Sequence, residues 1–264
     1  MRPRGPSICY HLGAGRGASR SSRGPAGKTW EDSVGSILII AHRGAHGPAP
    51  ENSLAAFQAA IDLGADMIEL DLRRTQDRRL VVRHDPGLGG AAVAELSYAQ
   101  VQALSQGQPA PALEEVLALA RGRIGLDIEL KEPGYEEEAA RRVLDFLSPE
   151  QFILSSFHEP SLVKLKRLLP GLTTGLLLAA PPAGGRGGPS VLERCRRARA
   201  DILLPHYKLL RAGLWPRAKK FGRPVYVWTV NSDRLLAQFL AGGQVQGIIT
   251  DRPQAALRLR GGRP

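Results

Sequence analysis

The sequence predicts an α/β protein whose fold is an irregular (β/α)8 TIM barrel, and three observations support this prediction. From residue 37 onward, short runs of apolar and β-branched residues alternate with segments of helical periodicity. The number of such units within residues 36–264 is typical of a closed barrel rather than of an open doubly wound sheet. The chain also lacks the glycine-rich dinucleotide-binding motif of doubly wound folds.

Nine strands are predicted for the eight positions of such a barrel. Their residues are 37–41, 66–72, 80–83, 125–130, 152–156, 174–178, 201–205, 224–230 and 247–250. We interpret 80–83 as the surplus strand, because 75–79 is too short for the crossover helix that parallel neighbours need. It is predicted to be a hairpin arm on the second strand, or else to mark an irregular part of the barrel.

The helix between the first two strands has the clearest sequence signals. Asn52 or Ser53 is its predicted N-cap, and Gly64 is predicted to end it. One face of this helix carries Leu54, Phe57 and Ile61. Further helices are predicted at 136–147, 160–169 and 231–241.

Residues 1–35 differ in composition from the rest of the chain. They are rich in Gly, Arg, Ser and Pro and show no helical or strand period, so we predict a disordered basic tail at 1–35 and a barrel domain at 36–264. The formal net charge is +11, but residues 1–28 hold six basic residues and no acidic one. The excess charge is therefore not spread over a folded face, and we expect no nucleic-acid partner.

The cellular location of the protein is predicted from the absence of membrane-spanning, secretory and disulfide signals in the sequence. No apolar run reaches the roughly 18 residues of a membrane-spanning helix, so we expect a soluble protein without stable membrane insertion. Residues 8–14 are interrupted by His11 and Gly13, which argues against a secretory signal. The tail is compatible with an organelle transit peptide or with a start codon assigned too far upstream. Two cysteines, Cys9 and Cys195, predict no disulfide framework and favour the cytoplasm.

Acidic residues share one face of two predicted strands, at their C-terminal ends. Glu69 and Asp71 are two residues apart, and Asp127, Glu129 and Lys131 repeat this spacing. Carboxylates that converge at the C-terminal rim of a barrel repel one another unless a cation neutralises them. An all-oxygen site suits Mg²⁺ or Ca²⁺, so we predict Glu69, Asp71 and Glu129 as ligands of one divalent cation. Taken strand by strand, the acids would instead be solvated or paired with neighbouring basic residues.

Histidines follow the first and third predicted strands, at the same rim. A single histidine at a strand end is usually an ordinary side chain, but His42 and His84 beside an acidic cluster suit acid–base catalysis. Arg43 and Lys131 add positive charge there, as the binding of a phosphate group requires. These residues together favour phosphoester cleavage. The other histidines lack comparable neighbours, although His46 lies on the loop that follows His42.

A series of short motifs runs through the whole body of the chain. They are His42-Arg43-Gly44, Pro50-Glu51-Asn52-Ser53, Gly64-Ala65-Asp66, Glu69-Leu70-Asp71, Thr75-Gln76-Asp77, Val82-Arg83-His84-Asp85, Leu113-Glu114-Glu115-Val116, Glu129-Leu130-Lys131, Ser155-Ser156-Phe157, Trp228-Thr229-Val230-Asn231 and Gly247-Ile248-Ile249-Thr250-Asp251-Arg252-Pro253. In these motifs and their order, the chain from residue 41 to its end resembles the glycerophosphodiester phosphodiesterases. Their fold is an irregular (β/α)8 barrel related to that of the phosphatidylinositol-specific phospholipases C.

The resemblance implies a metal-dependent hydrolase that splits glycerophosphodiesters into sn-glycerol 3-phosphate and an alcohol. By resemblance, the acid–base pair falls on His42 and His84, the metal ligands on Glu69, Asp71 and Glu129, the phosphate contacts on Arg43 and Lys131, and the aromatic residue near the glycerol on Trp228. Trp228 is equally compatible with an ordinary core or rim position. The sequence leaves open which histidine is the base, and whether the nucleophile is water or the substrate's 2-hydroxyl.

One departure from the family concerns the cap insertion that its members carry over the site. Only 28 residues separate Asp85 from Glu114, so we predict a short, trimmed cap and a more open mouth. An open mouth leaves room for lysophospholipids, and a lysophospholipase D is therefore an alternative function. The alternative without catalysis is a barrel that only binds a phosphorylated ligand.

Overall fold

The computed structural model describes residues 36–107, 110–179 and 191–261. The predicted tail at 1–35 lies outside these ranges. The strands of the described residues are β1 (Leu38–His42), β2 (Met67–Arg74), β3 (Leu80–Val82), β4 (Gly87–Leu88), β5 (Ala91–Ala92), β6 (Gly125–Leu130), β7 (Phe152–Ser156), β8 (Thr174–Leu178), β9 (Ile202–Pro205), β10 (Tyr226–Val227) and β11 (Gly247–Thr250). The helices are α1 (Leu54–Asp62), α2 (Tyr98–Leu104), α3 (Leu113–Ala120), α4 (Glu136–Leu144), α5 (Glu159–Leu168), α6 (Val191–Ala198), α7 (Tyr207–Leu209), α8 (Trp215–Phe221), α9 (Asp233–Gly242) and α10 (Pro253–Gly261).

Eight of the strands form one parallel sheet in the order β10-β11-β1-β2-β6-β7-β8-β9. Isolated parallel bridges from Leu203 to Val225 and from His206 to Trp228 join its two ends. We call this junction between β9 and β10 the seam. The sheet therefore closes into a nearly complete barrel, which confirms the predicted irregular (β/α)8 fold.

The surplus strand is a hairpin arm. β3 pairs antiparallel with β2, in a register that sets Arg73 opposite Val81, as the short connection at 75–79 predicts. The strand predicted at 224–230 is regular only at Tyr226–Val227, because at the seam the chain contacts β9 through single bridges rather than a continuous ladder.

The N-cap of α1 is Ser53, whose Oγ accepts a hydrogen bond from the Ala56 N–H at 3.1 Å. Asn52, the other predicted cap, has a positive φ of 56° and directs its side chain elsewhere. The predicted helices 136–147, 160–169 and 231–241 correspond to α4, α5 and α9, with ends that differ by at most three residues.

Alternation along the strands divides the apolar residues into two cores. One set faces the helices, and in β2 it consists of Ile68, Leu70 and Leu72. The other set fills the barrel interior and consists of Leu38, Ile40, Met67, Ile153, Leu177, Ile202, Leu204, Tyr226 and Ile249. Because residues two apart share a face, the polar side chains that follow this interior set on each strand emerge at the C-terminal rim.

The cap over the rim is a small unit between β3 and α3. It contains the β4–β5 hairpin and α2, and a cluster of Val81, Val93, Leu96, Val101 and Ala110 anchors it to the barrel. Its size agrees with the short cap predicted from the sequence. Within the described ranges, every helix is too short or too polar to cross a lipid bilayer.

Candidate active site

A cavity of about 190 Å³ opens at the C-terminal rim of the barrel. It is lined by His42, Arg43, Glu69, His84, Glu129, Lys131, Phe157, Leu177, Trp228 and Ile249. This set contains seven of the eight predicted site residues. The eighth, Asp71, places a carboxylate oxygen within 4.8 Å of those of Glu69 and Glu129. The structure therefore brings all eight together.

Glu69, Asp71 and Glu129 form a buried acidic cluster on two adjacent strands. The register of β2 and β6 sets Asp71 directly opposite Glu129, while Glu69 lies two residues before Asp71 on the same face. Lys131 Nζ lies 3.1 Å from Asp71 Oδ1 and 2.8 Å from Glu129 Oε1. One ammonium thus bridges two of the three carboxylates, which leaves the cluster with more negative than positive charge.

Burial and mutual repulsion act on the pKa of each carboxyl in the cluster. Burial, followed by repulsion from Asp71 and Glu129, raises the pKa of Glu69 well above its usual range. Burial also raises the pKa of Glu129, to about 7, although Lys131 opposes this shift. For Asp71, burial is outweighed by Lys131, Arg43 and a hydrogen bond from Asn52, so its pKa falls to about 2. The cluster needs further positive charge before all three groups ionise together.

The donor set of the cluster fits a hard divalent cation. Its three groups offer only oxygen ligands, and the pKa values of Glu69 and Glu129 are raised by burial and by repulsion between the carboxylates, which a bound cation would offset. Below this cluster, Asp127 accepts a hydrogen bond from Ser155 Oγ at 2.6 Å, and its other carboxylate oxygen is buried without a partner. Burial raises the pKa of Asp127 to about 7, although the hydrogen bond from Ser155 opposes this shift.

Arg43 connects the cluster to the loop that follows β1. Its Nε lies 3.0 Å from Asp71 Oδ2, its Nη1 lies 2.8 Å from Glu51 Oε1, and its backbone N–H donates to Glu69 Oε2 at 3.1 Å. This geometry needs a positive φ of 53° at Arg43, a conformation that costs about 1 kcal/mol or more for a residue with a Cβ. Such strain is typical of residues held in place for function.

Gly44 continues this turn at φ 89°, where a Cβ would lie 2.8 Å from the backbone of Ala56. Only glycine fits between the loop and α1 at this position.

Asn52 is a site residue that the sequence analysis assigned only as a possible helix cap. Its Nδ2 donates to Asp71 Oδ2 at 2.8 Å, and its Oδ1 accepts from the Asp71 N–H at 3.4 Å. The positive φ of Asn52, which asparagine tolerates better than most residues, aims the side chain inward. Asn52 therefore fixes the orientation of the central carboxylate.

His42 is held by a partner from the opposite end of the chain. Its Nδ1 lies 2.5 Å from Asp251 Oδ1, and its Nε2 lies 3.8 Å from Glu69 Oε2 on the cavity side. β1 pairs with β11, so His42 and Asp251 emerge next to each other although 209 residues separate them. Burial disfavours a charge on Asp251, but hydrogen bonds with His42 and His46 outweigh this effect and lower its pKa far below the usual range.

His84 lies after β3 at the mouth of the cavity, with its side chain 40% exposed. Its Nδ1 lies 2.9 Å from Asp85 Oδ1. The backbone carbonyl of His84 accepts hydrogen bonds from Nε and Nη2 of Arg73, a buried arginine on β2. The Nη1 of Arg73 pairs with Glu132, the residue after Lys131. Arg73 thus connects the two loops that carry His84 and Lys131.

Aromatic side chains form the wall of the cavity beside the seam. Trp228 donates from Nε1 to the carbonyl of Leu204 at 2.6 Å, which fixes its ring, and Phe157 packs edge-on against it with centroids 5.6 Å apart. Trp228, which is predicted to lie near the substrate, is part of this wall. Phe157 lines the cavity as well, whereas the sequence analysis did not include it among the site residues.

The residues of the cavity define the chemistry that it supports. Two imidazoles face an oxygen-rich cluster suited to a cation, and Arg43 and Lys131 supply positive charge between them. This combination suits in-line displacement at a phosphodiester, where a proton must be removed on one side of phosphorus and donated on the other.

Comparison with known proteins agrees with this chemistry. Residues 42–255 match the glycerophosphoryl diester phosphodiesterase family. The chain belongs to this family. Glycerophosphodiester phosphodiesterases from Caldanaerobacter subterraneus subsp. tengcongensis and Bacillus altitudinis are 33% and 31% identical to it, and each alignment covers 84% of this chain and 97% of the relative.

Solved structures of the family have the same fold. A phosphodiesterase of Oleispira antarctica, determined in complex with the product sn-glycerol-3-phosphate, is 26% identical and superposes with a TM-score of 0.73 over 85% of this chain and 96% of that chain. A glycerophosphodiester phosphodiesterase of Thermotoga maritima is 27% identical, with a TM-score of 0.67 over 85% and 98% of the two chains. Membership in the family thus rests on both sequence and fold.

Proposed function

We propose that this chain hydrolyses glycerophosphodiesters to sn-glycerol 3-phosphate and an alcohol, with residues 36–264 as the catalytic domain. The observation that carries the proposal is that His42 and His84 both line one cavity with Arg43, Lys131 and the acidic cluster. The names of the relatives and the product bound to the Oleispira antarctica enzyme support the choice of substrate.

The acidic cluster is proposed to hold one divalent cation, Mg²⁺ or Ca²⁺, through Glu69, Asp71 and Glu129. When bound, such an ion supplies Lewis-acid activation of an attacking hydroxyl and neutralises charge on the phosphate. Asn52 orients Asp71 for this role, and Lys131 holds Asp71 and Glu129 together.

The two histidines differ in their surroundings, and this difference supports a division of their roles. The carboxylate of Asp251 holds the Nδ1 of His42, so the Nε2 on the side of the acidic cluster is free to take the proton of the nucleophile. His84 lies at the exposed mouth, where an alcohol departs, and it is suited to protonate that leaving group. We therefore propose His42 as the general base and His84 as the general acid.

The remaining cavity residues are proposed to bind the two halves of the product. Arg43 and Lys131 contact the phosphate, since both cations line the cavity beside the acidic cluster. The face of Trp228 packs against the apolar edge of the glycerol unit, supported from behind by Phe157.

A lysophospholipase D activity is a second candidate, and one observation favours it. Next to the cavity, an open groove of about 840 Å³ runs along α5. It is lined by the apolar Phe157, Pro160 and Val163 and by the polar or charged His158, Glu159, Lys164, Arg167 and Arg197. Phe157 belongs to both, so an alkyl chain attached to a bound glycerol phosphate would reach the groove directly.

The test is the release of glycerol 3-phosphate from glycerophosphocholine and glycerophosphoethanolamine, and of choline from lysophosphatidylcholine, with Mg²⁺, with Ca²⁺ and with EDTA. We expect metal-dependent release from the first two substrates, and its loss in His42→Gln and His84→Gln. Glu137→Gln, at an exposed carboxylate that pairs with Arg141 and does not line the cavity, is the control. Faster turnover of lysophosphatidylcholine than of the soluble diesters would favour the second candidate. No turnover of any diester by the metal-loaded protein would refute both.

A further inference from the structure

A second group of potential metal ligands lies beside the cavity and shares no residue with the acidic cluster. It consists of His42, His46 and Asp251, whose ligand atoms all lie within 4.8 Å of one another. Asp251 Oδ1 is 2.5 Å from His42 Nδ1 and 3.3 Å from His46 Nε2. The side chains are 18%, 24% and 30% exposed, so the group is partly shielded yet open to solvent.

The donor types of this group differ from those of the acidic cluster. Two imidazole nitrogens and one carboxylate oxygen suit Zn²⁺, whereas three carboxylates suit Mg²⁺ or Ca²⁺. With Zn–ligand bonds of about 2.0–2.1 Å, tetrahedral ligands lie roughly 3.3 Å apart. The pair of His46 and Asp251 already has this spacing, and the pair of His42 and Asp251 would need to open by less than about 1 Å.

Neighbouring groups already orient the carboxylate of this set. Asn231 Oδ1 accepts from the Asp251 N–H at 3.0 Å, and Asn231 Nδ2 donates to Asp251 Oδ2. The oxygen that faces the histidines is therefore Oδ1, while Oδ2 is held by an amide. Supporting hydrogen bonds of this kind fix the orientation of the ligands in metal sites.

We propose that His42, His46 and Asp251 form a binding site for Zn²⁺ and that zinc bound there inhibits the enzyme. The inhibition rests on the function proposed above for His42. A neutral imidazole carries one proton, and a metal on Nδ1 requires that proton to be on Nε2. Zinc on Nδ1 displaces the proton from that nitrogen, so the Nδ1–H bond breaks and, by exchange with solvent, an Nε2–H bond forms while the ring stays neutral. Because Nε2 is the atom on the cavity side, zinc would convert the base of His42 into a donor.

The zinc site is distinct from the acidic cluster, which is proposed to hold the activating cation. Zinc at the acidic cluster would compete with Mg²⁺, but zinc at His42, His46 and Asp251 would bind while Mg²⁺ saturates the cluster. The residue that distinguishes the two sites is His46, because it does not line the cavity and its Nε2 lies 3.3 Å from Asp251 Oδ1.

The experiment measures zinc binding and zinc inhibition in the Mg²⁺-saturated protein. We expect equilibrium dialysis followed by elemental analysis to show one retained Zn²⁺, and a midpoint of inhibition that does not move when Mg²⁺ is raised tenfold. In His46→Gln we expect the zinc needed for half-inhibition, relative to that variant's own zinc-free rate, to rise at least tenfold. His46→Cys, which restores a zinc ligand, should recover tight binding. Glu137→Gln, at an exposed carboxylate outside both groups of potential ligands, should behave like the unaltered chain.

Three results would overturn the proposal. In the first, Mg²⁺ relieves the inhibition by competition. In the second, His46→Gln retains as much zinc as the unaltered chain. In the third, the protein retains no zinc at all. The measurement of retained zinc does not depend on turnover of a substrate. A protein that hydrolyses none of the diesters but holds zinc through His46 would refute the proposed function and leave the site standing.

Discussion

Arg73 donates from Nε to the backbone carbonyl oxygen of His84 at 2.9 Å, from a side chain that is only 6% exposed. The planar guanidinium adds a second hydrogen bond to the same oxygen from Nη2. The side chain of His84 is exposed, so the position of its ring depends on how firmly this backbone is held. Arg73 is therefore a positioning residue for the proposed general acid.

Replacing Arg73 by lysine should slow turnover and leave substrate binding nearly unchanged. An ammonium keeps the charge but does not reproduce the paired hydrogen bonds of a guanidinium, so the loop of His84 would shift. Because a displacement of about 1 Å costs as much as about 100-fold in rate, we expect Arg73→Lys to lower kcat by at least about tenfold. Steady-state kinetics with glycerophosphocholine measure both constants.

The control for this prediction is Arg74→Lys. Arg74 is the next residue of β2, and its side chain points outward to Glu138. A kcat that is equal in Arg73→Lys and Arg74→Lys, at equal melting temperature, would show that Arg73 has no positioning role.

The pair of His42 and Asp251 leads to a prediction about the proposed general base. Asp251→Asn preserves the size of the side chain but removes the charge that stabilises a protonated His42 during the reaction. We expect kcat/KM to fall by about 100-fold or more. Asp233→Asn, at an exposed carboxylate that pairs with Arg252, is the matched control. A loss of less than about threefold in Asp251→Asn would contradict the proposed role of His42.

Removal of the divalent cation should lower the thermal stability of the protein. Three buried carboxylates repel one another without it, and at 100 times its Kd a ligand adds about 2.7 kcal/mol to the free energy of unfolding. In a chain of this size we expect Ca²⁺ or Mg²⁺ to raise the melting temperature by about 5–10 °C over the value in EDTA. Differential scanning fluorimetry measures this difference.

Glu129→Gln should abolish most of this thermal shift, because it removes one of the three proposed ligands. Glu150→Gln, at an exposed position after α4, should retain it. If Glu129→Gln is stabilised by the cation as strongly as the unaltered chain, the ion binds somewhere else.

Glu136 gives the protein a stability that depends on pH. Its buried carboxylate accepts from Ser161 Oγ at 2.8 Å and from Lys164 Nζ at 2.7 Å. Burial opposes ionisation, but these hydrogen bonds outweigh it and lower the pKa of Glu136 to about 2. In the unfolded chain the pKa is about 4.3. The contribution of Glu136 is therefore fully present above about pH 5 and is lost as the pH falls towards 2.

Thermal denaturation at pH 6 and pH 3 tests this contribution. Because the Lys164 side chain is 40% exposed, we expect it to be about 1–2 kcal/mol. Glu136→Gln should melt below the unaltered chain at pH 6 and lose less stability than that chain on going to pH 3. The control Glu137→Gln, at an exposed carboxylate beside Arg141, should follow the unaltered chain. Equal losses in Glu136→Gln and the unaltered chain would contradict the prediction.

Strand alternation is the reason that the sequence predicts so much of the site. On the interior face of β2, Glu69 and Asp71 follow Met67 at a spacing of two, and on the same face of β6, Glu129 and Lys131 follow Asp127. All C-terminal ends of a parallel barrel meet at one rim. The roles of these residues remain proposals, but their proximity follows from periodicity alone.

Strand periodicity does not predict contacts that depend on the path of a loop. Arg73 lies two residues after Asp71 and so shares its face of the strand. Its partner is a backbone carbonyl, however, and a backbone partner leaves no signature in the sequence. The interaction between Asn52 and Asp71 likewise depends on a single positive φ. In contrast, a signal for Asp251 was present, because it directly follows the last strand, which lies beside the first strand in any closed barrel.

The seam has a consequence for the motions of the barrel. β10 has only two residues in regular pairing with β11, and isolated bridges attach its surroundings to β9. Native-state hydrogen exchange should therefore be faster at Tyr226 and Val227 than in the longer ladder between β2 and β6. Trp228 follows β10 directly, so a ligand that packs on this ring would hold the shortest strand of the barrel in place and slow the exchange of its amides. The barrel would then be most rigid when its cavity is filled.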